Sequence, residues 1–204
     1  MSDASIYELG KASHKARVIA EIHRAAFPDF FLTQLGKSFL TALYQGYIED
    51  EESGILVAAS KKSGQIVGFI AYSDNYSRFY AQLKKNHLLK FVFGAAMAAL
   101  RQPSCIKRLL GALKKEDQVK RVEKYVELAS IGVCPQKQGE GIGGKLMDYF
   151  ISTVDFRKYS YINLETDAVN NEAVNNFYQK KGFKLSRQYV TAEGRRMNEY
   201  HFTK

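Results

Sequence analysis

The sequence predicts an α/β domain built around a buried strand that runs into a glycine-rich loop and then an amphipathic helix. Residues 125–133 are mostly β-branched or bulky apolar side chains, which is typical of a strand buried on both faces. The loop that follows contains Gly139, Gly141, Gly143 and Gly144, and the next segment repeats apolar residues at helical spacing. At 204 residues the chain can form one domain with a sizeable core.

The sequence pattern of the N-terminal part predicts two helices between a short strand and a hairpin. In order, we expect a strand over 6–9, a helix from about Ser13 to Pro28, a helix over 33–48, and a hairpin of strands 55–59 and 65–72. The Ser13 hydroxyl can cap the first helix, and Pro28 breaks it because proline has no N–H to donate. Residues 77–115 are also expected to be helical.

The C-terminal part continues the alternation of helices and strands. After the glycine-rich loop we expect a helix to about residue 156, a strand over 161–165, a helix over 171–181, and a final hairpin that turns at Glu193 and Gly194. Pro135 ends the central strand, so residues 138–144 form a turn. Glycines there allow several backbone N–H groups to point into one concavity, which predicts an anion-binding loop at the start of a helix.

Two phosphate-binding motifs match this loop poorly. Gly139-x-Gly141-x-x-Gly144 fits a dinucleotide fingerprint, but residues 135–138 separate the strand from the first glycine. Gly139-x-x-x-x-Gly144-Lys145 is close to a nucleotide-binding P-loop, but Leu146 stands where a hydroxyl must hold magnesium. Neither motif predicts the chemistry of the loop.

A third motif, Gln138-x-x-Gly141-x-Gly143 after Val133-Cys134-Pro135, resembles the coenzyme A pyrophosphate loop of the GNAT superfamily of acetyl-CoA-dependent N-acetyltransferases. A second block supports the resemblance: Asn171, a helix that carries Phe177 and Tyr178, and then Gly182-Phe183. The resemblance implies a single domain over 1–204. It further implies a mixed, mostly antiparallel central sheet flanked by helices, to which the composition of about 75–115 adds a basic helical insertion. In that family the central strand commonly splays from its neighbour to admit the coenzyme.

The resemblance also implies the site residues. Coenzyme A would contact Ile131, Gly132, Val133, Gln138, Gly139, Glu140, Gly141, Ile142, Gly143, Gly144, Lys145, Asn171 and Tyr178. Tyr178 would be the general acid for the departing thiolate. Because its ordinary pKa of about 10 exceeds a thiol's roughly 8.5, complete transfer requires a locally lowered pKa. Glu127 would deprotonate the amine, directly or through water.

Each of these residues also has a structural interpretation. Tyr178 can be a packing residue on a helix, and Glu127 can be a solvated or salt-bridged strand residue near Lys124. Asn171 can be a helix N-cap, and Lys145 a solvated lysine in the first helical turn.

The resemblance implies an enzyme that transfers acetyl from acetyl-CoA, its co-substrate, directly to a primary amine of a small molecule such as an amino sugar or a nucleotide-linked amino sugar. Two alternatives stay open: a non-catalytic acyl-CoA-binding or regulatory module, and a transferase that acts on a protein or peptide amine. The sequence also leaves open whether the chain is a monomer or a homodimer.

Composition excludes several other classes. The net charge of +9 comes without a nucleic-acid-binding motif, so no nucleic acid partner is expected. The histidines and cysteines lack metal-ligand spacing, so no metal is expected. No apolar run reaches the roughly 18 residues of a membrane span, and the N-terminus has no signal-peptide core, which favours a cytoplasmic location.

The positive charge is concentrated in residues 75–115, which contain nine Lys and Arg residues and no Asp or Glu. Three uses are compatible with this composition. The segment can be a helical insertion with solvated lysines, a lid that attracts coenzyme phosphates or an acidic acceptor, or a contact surface for an anionic membrane or an acyl carrier protein.

Overall fold

The computed structural model describes residues 3–83, 123–192 and 194–204. The strands are β1 (Ala4–Glu8), β2 (Ser53–Ser60), β3 (Ile66–Ser73), β4 (Tyr125–Val133), β5 (Tyr161–Asp167), β6 (Lys184–Val190) and β7 (Arg196–Phe202). The helices are α1 (Ala16–Ala26), α2 (Phe31–Gln34), α3 (Lys37–Glu49), α4 (76–83), α5 (Ile142–Thr153) and α6 (Glu172–Lys180).

The seven strands form one mixed sheet in the order β1-β2-β3-β4-β5-β7-β6. Every neighbouring pair is antiparallel except β4 and β5, which are parallel. A parallel pair needs a crossover connection, and α5 supplies it. The predicted fold class and both predicted hairpins are confirmed.

The sheet buries a separate apolar cluster on each face. Because side chains alternate along a strand, Val57 and Phe69 point to the face that α1 and α3 cover. Ile70 and Val126 point to the opposite face, where α5 and α6 pack. The two clusters fix the sheet between two layers of helices.

Two helix boundaries differ from the prediction. The helix expected over 33–48 is broken into α2 and α3 at Gly36, which has a φ of +93° that only glycine adopts without strain. The first helix begins at Ala16, and the Ser13 hydroxyl instead accepts a hydrogen bond from the Lys15 N–H at 3.3 Å. Apolar spacing locates a helix but not a break of this kind.

Of the predicted basic helical insertion, the structure describes the first turns as α4, and residues 84–115 lie outside the described residues. Phe79 of α4 stacks on Tyr47 of α3 with ring centroids 4.0 Å apart. Arg78 forms an ion pair with Glu52 next to β2. A Cβ on Gly46 would lie 2.5 Å from Leu83, so glycine at that position lets α4 approach α3 closely.

Candidate active site

The parallel strands β4 and β5 are paired only at their beginnings, although every residue of both is described. The rungs join Tyr125 to Tyr161, Val126 to Ile162 and Glu127 to Asn163. β4 nevertheless continues to Val133 and β5 to Asp167, so the strands separate beyond the third rung. We call this opening the strand gap. It is the splay that the family resemblance implies.

A β-bulge shapes the part of β4 that borders the strand gap. The register of β4 against β3 shifts between Leu128 and Ser130, which leaves Ala129 as the extra residue. The extra residue changes the alternation of side chains by one position. Ser130 therefore points to the same sheet face as Glu127.

Beyond the bulge, β4 carries the three residues expected to contact the pantetheine arm. Ile131 and Val133 are half-buried, whereas Gly132 is buried. A Cβ on Gly132 would lie 2.8 Å from the Phe69 ring and 3.2 Å from the Phe27 ring. Glycine at this position thus lets aromatic side chains from β3 and the end of α1 pack directly against the backbone of β4.

The glycine-rich loop has the geometry of an anion site. After a 3₁₀ turn over Pro135–Lys137, Gly139 and Gly141 adopt φ values of +81° and +78°. Gly141 is the N-cap of α5, and none of the described side chains caps the helix. The first N–H groups of an α-helix have no partner within the helix, so an anion that approached this loop would meet them and the positive end of the helix dipole.

Side chains leave the loop accessible. Glu140 turns aside to pair with Lys137 at 2.9 Å, and the Gln138 amide donates to the Val133 carbonyl oxygen at 3.3 Å. Among the residues that the structure describes, nothing lies within 4 Å of the positions that Cβ atoms on Gly139 and Gly141 would take. This part of the chain therefore leaves the loop open, and the loop follows directly from the end of β4.

The structure brings the predicted loop residues together at the start of α5: Gln138, Gly139, Glu140, Gly141, Ile142, Gly143, Gly144 and Lys145. Ile142 points into the core, and a Cβ on Gly143 would meet Val133 at an ordinary 3.7 Å. The exposed Lys145 donates its backbone N–H to the Gly141 carbonyl oxygen at 3.1 Å, which closes the first turn of the helix.

Tyr178 lies on α6 and is 6% exposed. Its ring packs against Phe183 and Tyr200, with centroids 5.9 and 6.2 Å away. Burial raises the pKa of Tyr178 well above its ordinary value. That direction is opposite to the lowered pKa that complete proton transfer to a thiolate requires. Tyr178 therefore stays a neutral phenol, which can donate a hydrogen bond to developing negative charge.

Glu127 is 8% exposed and points to the sheet face that α1 and α3 cover. Its Oε2 accepts a hydrogen bond of 2.6 Å from the Asn163 amide, and it makes at least one further interaction. Burial first, and then neighbouring charges that include Glu127, raise the pKa of Tyr47 and Tyr76. Glu127 is thus a nearly buried carboxylate beside a group of tyrosines.

Asn171 precedes α6, but its side chain does not cap the helix. Its amide nitrogen donates instead to the Thr166 hydroxyl at 2.8 Å and to the Asp167 carbonyl oxygen at 3.0 Å. The preceding Asn170 has a φ of +54°. These contacts hold the connection between β5 and α6 in place.

Asn175, which is 9% exposed, was not among the residues predicted for the site. Its carbonyl oxygen accepts hydrogen bonds from Asn198 at 2.8 Å and from the Tyr200 hydroxyl at 2.9 Å. Its amide nitrogen donates to the Asp167 carbonyl oxygen at 3.0 Å. This network joins α6, which carries Tyr178, to β5 and β7. Asn175 precedes Tyr178 by one turn on the same helix face, and this spacing could have indicated from the sequence that the two residues share a site.

Aromatic residues with polar ends line the α1 and α3 side of the sheet, and these too were not predicted as site residues. The His23 ring nitrogen Nδ1 lies 2.6 Å from the Tyr44 hydroxyl. The Tyr76 hydroxyl donates to the Tyr80 hydroxyl at 3.0 Å. Burial and, to a smaller extent, charges that include Glu127 raise the pKa of Tyr47. Helical spacing of these tyrosines could have indicated one shared surface.

Within the described ranges, no helix combines the length and apolar character required to cross a membrane. In the same part of the chain, no three His, Cys, Asp or Glu side chains come together as a candidate metal-binding group.

The family model described as Acetyltransferase (GNAT) family matches residues 17–183. No curated protein matches the sequence significantly. Among solved structures, an N-acetyltransferase from Staphylococcus aureus has a TM-score of 0.61 at 17% identity, with 99% of each chain covered. Arabidopsis thaliana NAA60 in complex with acetyl-CoA has a TM-score of 0.58 at 15% identity, with 98% of each chain covered.

The ribosomal-protein-S18-alanine N-acetyltransferase from Escherichia coli has a TM-score of 0.57 at 14% identity, with 98% of this chain and 93% of that chain covered. All three identities are low, so the likeness to these structures concerns the fold.

Proposed function

Because the chain belongs to the GNAT acetyltransferase family, we propose that it is an acetyl-CoA-dependent N-acetyltransferase that moves the acetyl group directly to a primary amine. The observation that carries the proposal is the strand gap, which begins beyond the rung of Glu127 and Asn163 and extends toward the glycine-rich loop after Val133. The open positions beside Gly139 and Gly141 fit a pyrophosphate, because backbone N–H groups can approach it without Cβ atoms in the way.

Acetyl-CoA supplies an activated thioester, and the backbone of Ile131, Gly132 and Val133 would hydrogen-bond its pantetheine arm. The thioester end would then lie near the bulge at Ala129, and the amine would approach from the side of Glu127. Glu127 takes a proton from the ammonium, which frees the nitrogen lone pair to attack the carbonyl carbon. The new C–N bond forms as the C–S bond breaks.

Tyr178 acts on the departing sulfur. Because its pKa is raised by burial, the phenol keeps its proton and stabilises the thiolate mainly by a hydrogen bond. After the attack the nitrogen carries one proton more than the amide product does, and this proton passes to the thiolate to give the free thiol. The role of Tyr178 requires the phenol to be neutral, and burial has that effect.

The proposed acceptor is a small-molecule primary amine such as an amino sugar or a nucleotide-linked amino sugar. The basic residues of 75–115 support an anionic acceptor because positive charge attracts it. A peptide amine is the second candidate, since one protein of similar fold is named for a ribosomal-protein-S18-alanine substrate.

A thiol-release assay with acetyl-CoA tests the proposal over amino sugars, amino acids, polyamines, aminoglycosides and peptide amines. We expect amine-dependent thiol release for one class, with mass spectrometry showing the acetylated amine. Calorimetry with coenzyme A runs in parallel. Tight coenzyme binding without turnover on any amine would favour a non-catalytic acyl-CoA-binding module, and absence of coenzyme binding would contradict the proposal altogether.

A further inference from the structure

Asn163 of β5 contains a buried carbonyl oxygen that makes no hydrogen bond to any residue that the structure describes. The residue is 1% exposed, and its Oδ1 is without a partner in that part of the chain. Its amide nitrogen Nδ2 donates to Glu127 at 2.6 Å, which fixes the orientation of the amide, because a swapped amide would place two acceptors together. Buried polar groups in folded proteins nearly always have partners, so an orphaned acceptor here can receive a hydrogen bond from a bound ligand or from water.

The position of Asn163 relative to the strand gap points to that ligand. The rung between Glu127 and Asn163 is the last before β4 and β5 separate, so both residues lie at the apex of the gap. Val133, at the other end, adjoins the glycine-rich loop. With about 3.3 Å per residue, the distance from Val133 to Glu127 along β4 is roughly 20 Å. If the pyrophosphate of acetyl-CoA binds at the loop and its pantetheine arm lies along the strand gap, the acetyl end points toward the rung of Glu127 and Asn163.

We propose that Asn163 is a positioning residue whose amide holds the Glu127 carboxylate and whose carbonyl oxygen receives a hydrogen bond from the incoming ammonium, directly or through a water that joins the ammonium to Glu127. This inference rests on the proposed transferase function. An ammonium has three N–H donors, so it can bind Asn163 and Glu127 and still lose one proton to the carboxylate. Glu127 goes from carboxylate to carboxylic acid, and the amine becomes a neutral nucleophile.

Several titratable groups surround this rung. The charge of Glu127 acts on Tyr47 of α3, Tyr76 of α4 and Tyr189 of β6, and burial is the main cause that raises the pKa of each, to about 12 for Tyr189. These phenols do not titrate where a carboxylate does. His201 of β7 lies directly opposite Asn163 of β5 in the antiparallel pairing of these strands.

The His201 ring lies 2.9 Å from a carboxylate oxygen of Glu199, which also pairs with Arg187. His201→Gln is therefore measured in parallel, so that titration of the imidazole is separated from that of Glu127.

The first measurement follows the titration of the Glu127 carboxyl by ¹³C NMR of glutamate-labelled protein, with Glu127→Gln to assign the resonance. A donated N–H favours the ionised carboxyl, so Asn163→Leu should move the titration midpoint up by about one pH unit. Asn163→Asp places a second carboxyl at the rung, so the two should share a proton and titrate in two separated steps. Asn198→Leu alters a buried asparagine on the opposite face and should lower Tm without moving the midpoint.

The second measurement adds ethylammonium chloride to the coenzyme A complex, with sodium chloride at equal ionic strength as the control. The Glu127 resonance of the parent should shift on binding. Asn163→Leu should weaken ethylammonium binding by about tenfold if the ammonium contacts Asn163 directly. A water-linked contact predicts a smaller loss of affinity, and a moved titration midpoint with unchanged ethylammonium affinity would overturn the contact with the ammonium and leave Asn163 only its hydrogen bond to Glu127.

The proposal is overturned if folded Asn163→Leu titrates and binds ethylammonium like the parent, or if the parent resonance does not respond to ethylammonium. Failure of the parent to bind coenzyme A in calorimetry would overturn the transferase function instead. The titration of Glu127 in the free protein would still report whether Asn163 holds it, so the two failures are distinguishable.

Discussion

Lys181, which follows α6, binds both carboxylate oxygens of Asp148 on α5 at 2.7 Å. Its Nζ also lies 3.3 Å from the position of a Cβ on Gly144, in the first turn of α5. The Lys181 side chain is 22% exposed and that of Asp148 is 64% exposed. A fixed ammonium therefore stands beside the proposed phosphate loop, although the resemblance to the family did not include it.

Lys181→Met should lower the affinity for coenzyme A about fivefold, because it removes a positive charge near the pyrophosphate. Fivefold corresponds to about 1 kcal/mol, and the exposed ion pair itself should contribute less than about 1 kcal/mol to the free energy of unfolding. Asp148→Asn, which releases the ammonium, should tighten binding. Calorimetry measures both variants, and equal affinities across the three proteins would remove Lys181 from the coenzyme site.

Gly143→Val should abolish coenzyme A binding in a folded protein, because its side chain would stand where phosphate oxygens approach the N–H groups. A Cβ at this position meets Val133 at an ordinary distance, so the fold tolerates it. Gly141→Val should abolish binding as well, but with added backbone strain from its φ of +78°.

Gly64→Val is the matched control for that strain, since Gly64 has a φ of +68° in the β2–β3 turn. It should lower Tm without affecting coenzyme affinity. Undiminished affinity in folded Gly143→Val would exclude the loop as the pyrophosphate site.

Tyr178→Phe should lower turnover by about 10²-fold while coenzyme affinity stays nearly unchanged, because it removes only the hydroxyl that we propose donates to the developing thiolate. Since burial raises the pKa of Tyr178, the parent should show no alkaline loss of activity from this phenol below about pH 10. Tyr200→Phe is the control, because it removes a nearby buried hydroxyl that bonds Asn175. It should lower stability but spare turnover, and equal turnover of Tyr178→Phe and the parent would leave Tyr178 with a packing role.

His23 should make the protein less stable in acid. Burial lowers the pKa of His23 from 6.5 to about 4, so the unfolded chain binds a proton before the folded protein does. The contribution to the free energy of unfolding is complete above pH 6.5 and is lost as pH falls toward 4, by up to about 3 kcal/mol.

Urea unfolding between pH 7 and pH 4 measures this loss. His23→Leu should flatten the pH dependence, whereas the exposed His14→Gln should leave it as in the parent. An identical slope in His23→Leu would assign the acid sensitivity to other groups.

The sequence by itself determined the local features of this protein. Apolar runs and alternation located the strands, and the glycines after Val133 located the turn that precedes α5. These predictions succeeded because a strand's buried faces and a loop's positive φ angles are properties of neighbouring residues. The break at Gly36 was missed because a single glycine inside an apolar pattern does not distinguish a tolerated residue from a helix end.

Only the tertiary structure decided how distant segments meet. The strand gap depends on where pairing between β4 and β5 stops, and nothing within either strand encodes that separation. The contact between Glu127 and Asn163 joins residues 36 positions apart in the sequence. This contact, and the unpaired Asn163 oxygen beside it, depend on the register of two strands. Register decides which side chains of different strands lie next to each other, and spacing within one segment does not determine it.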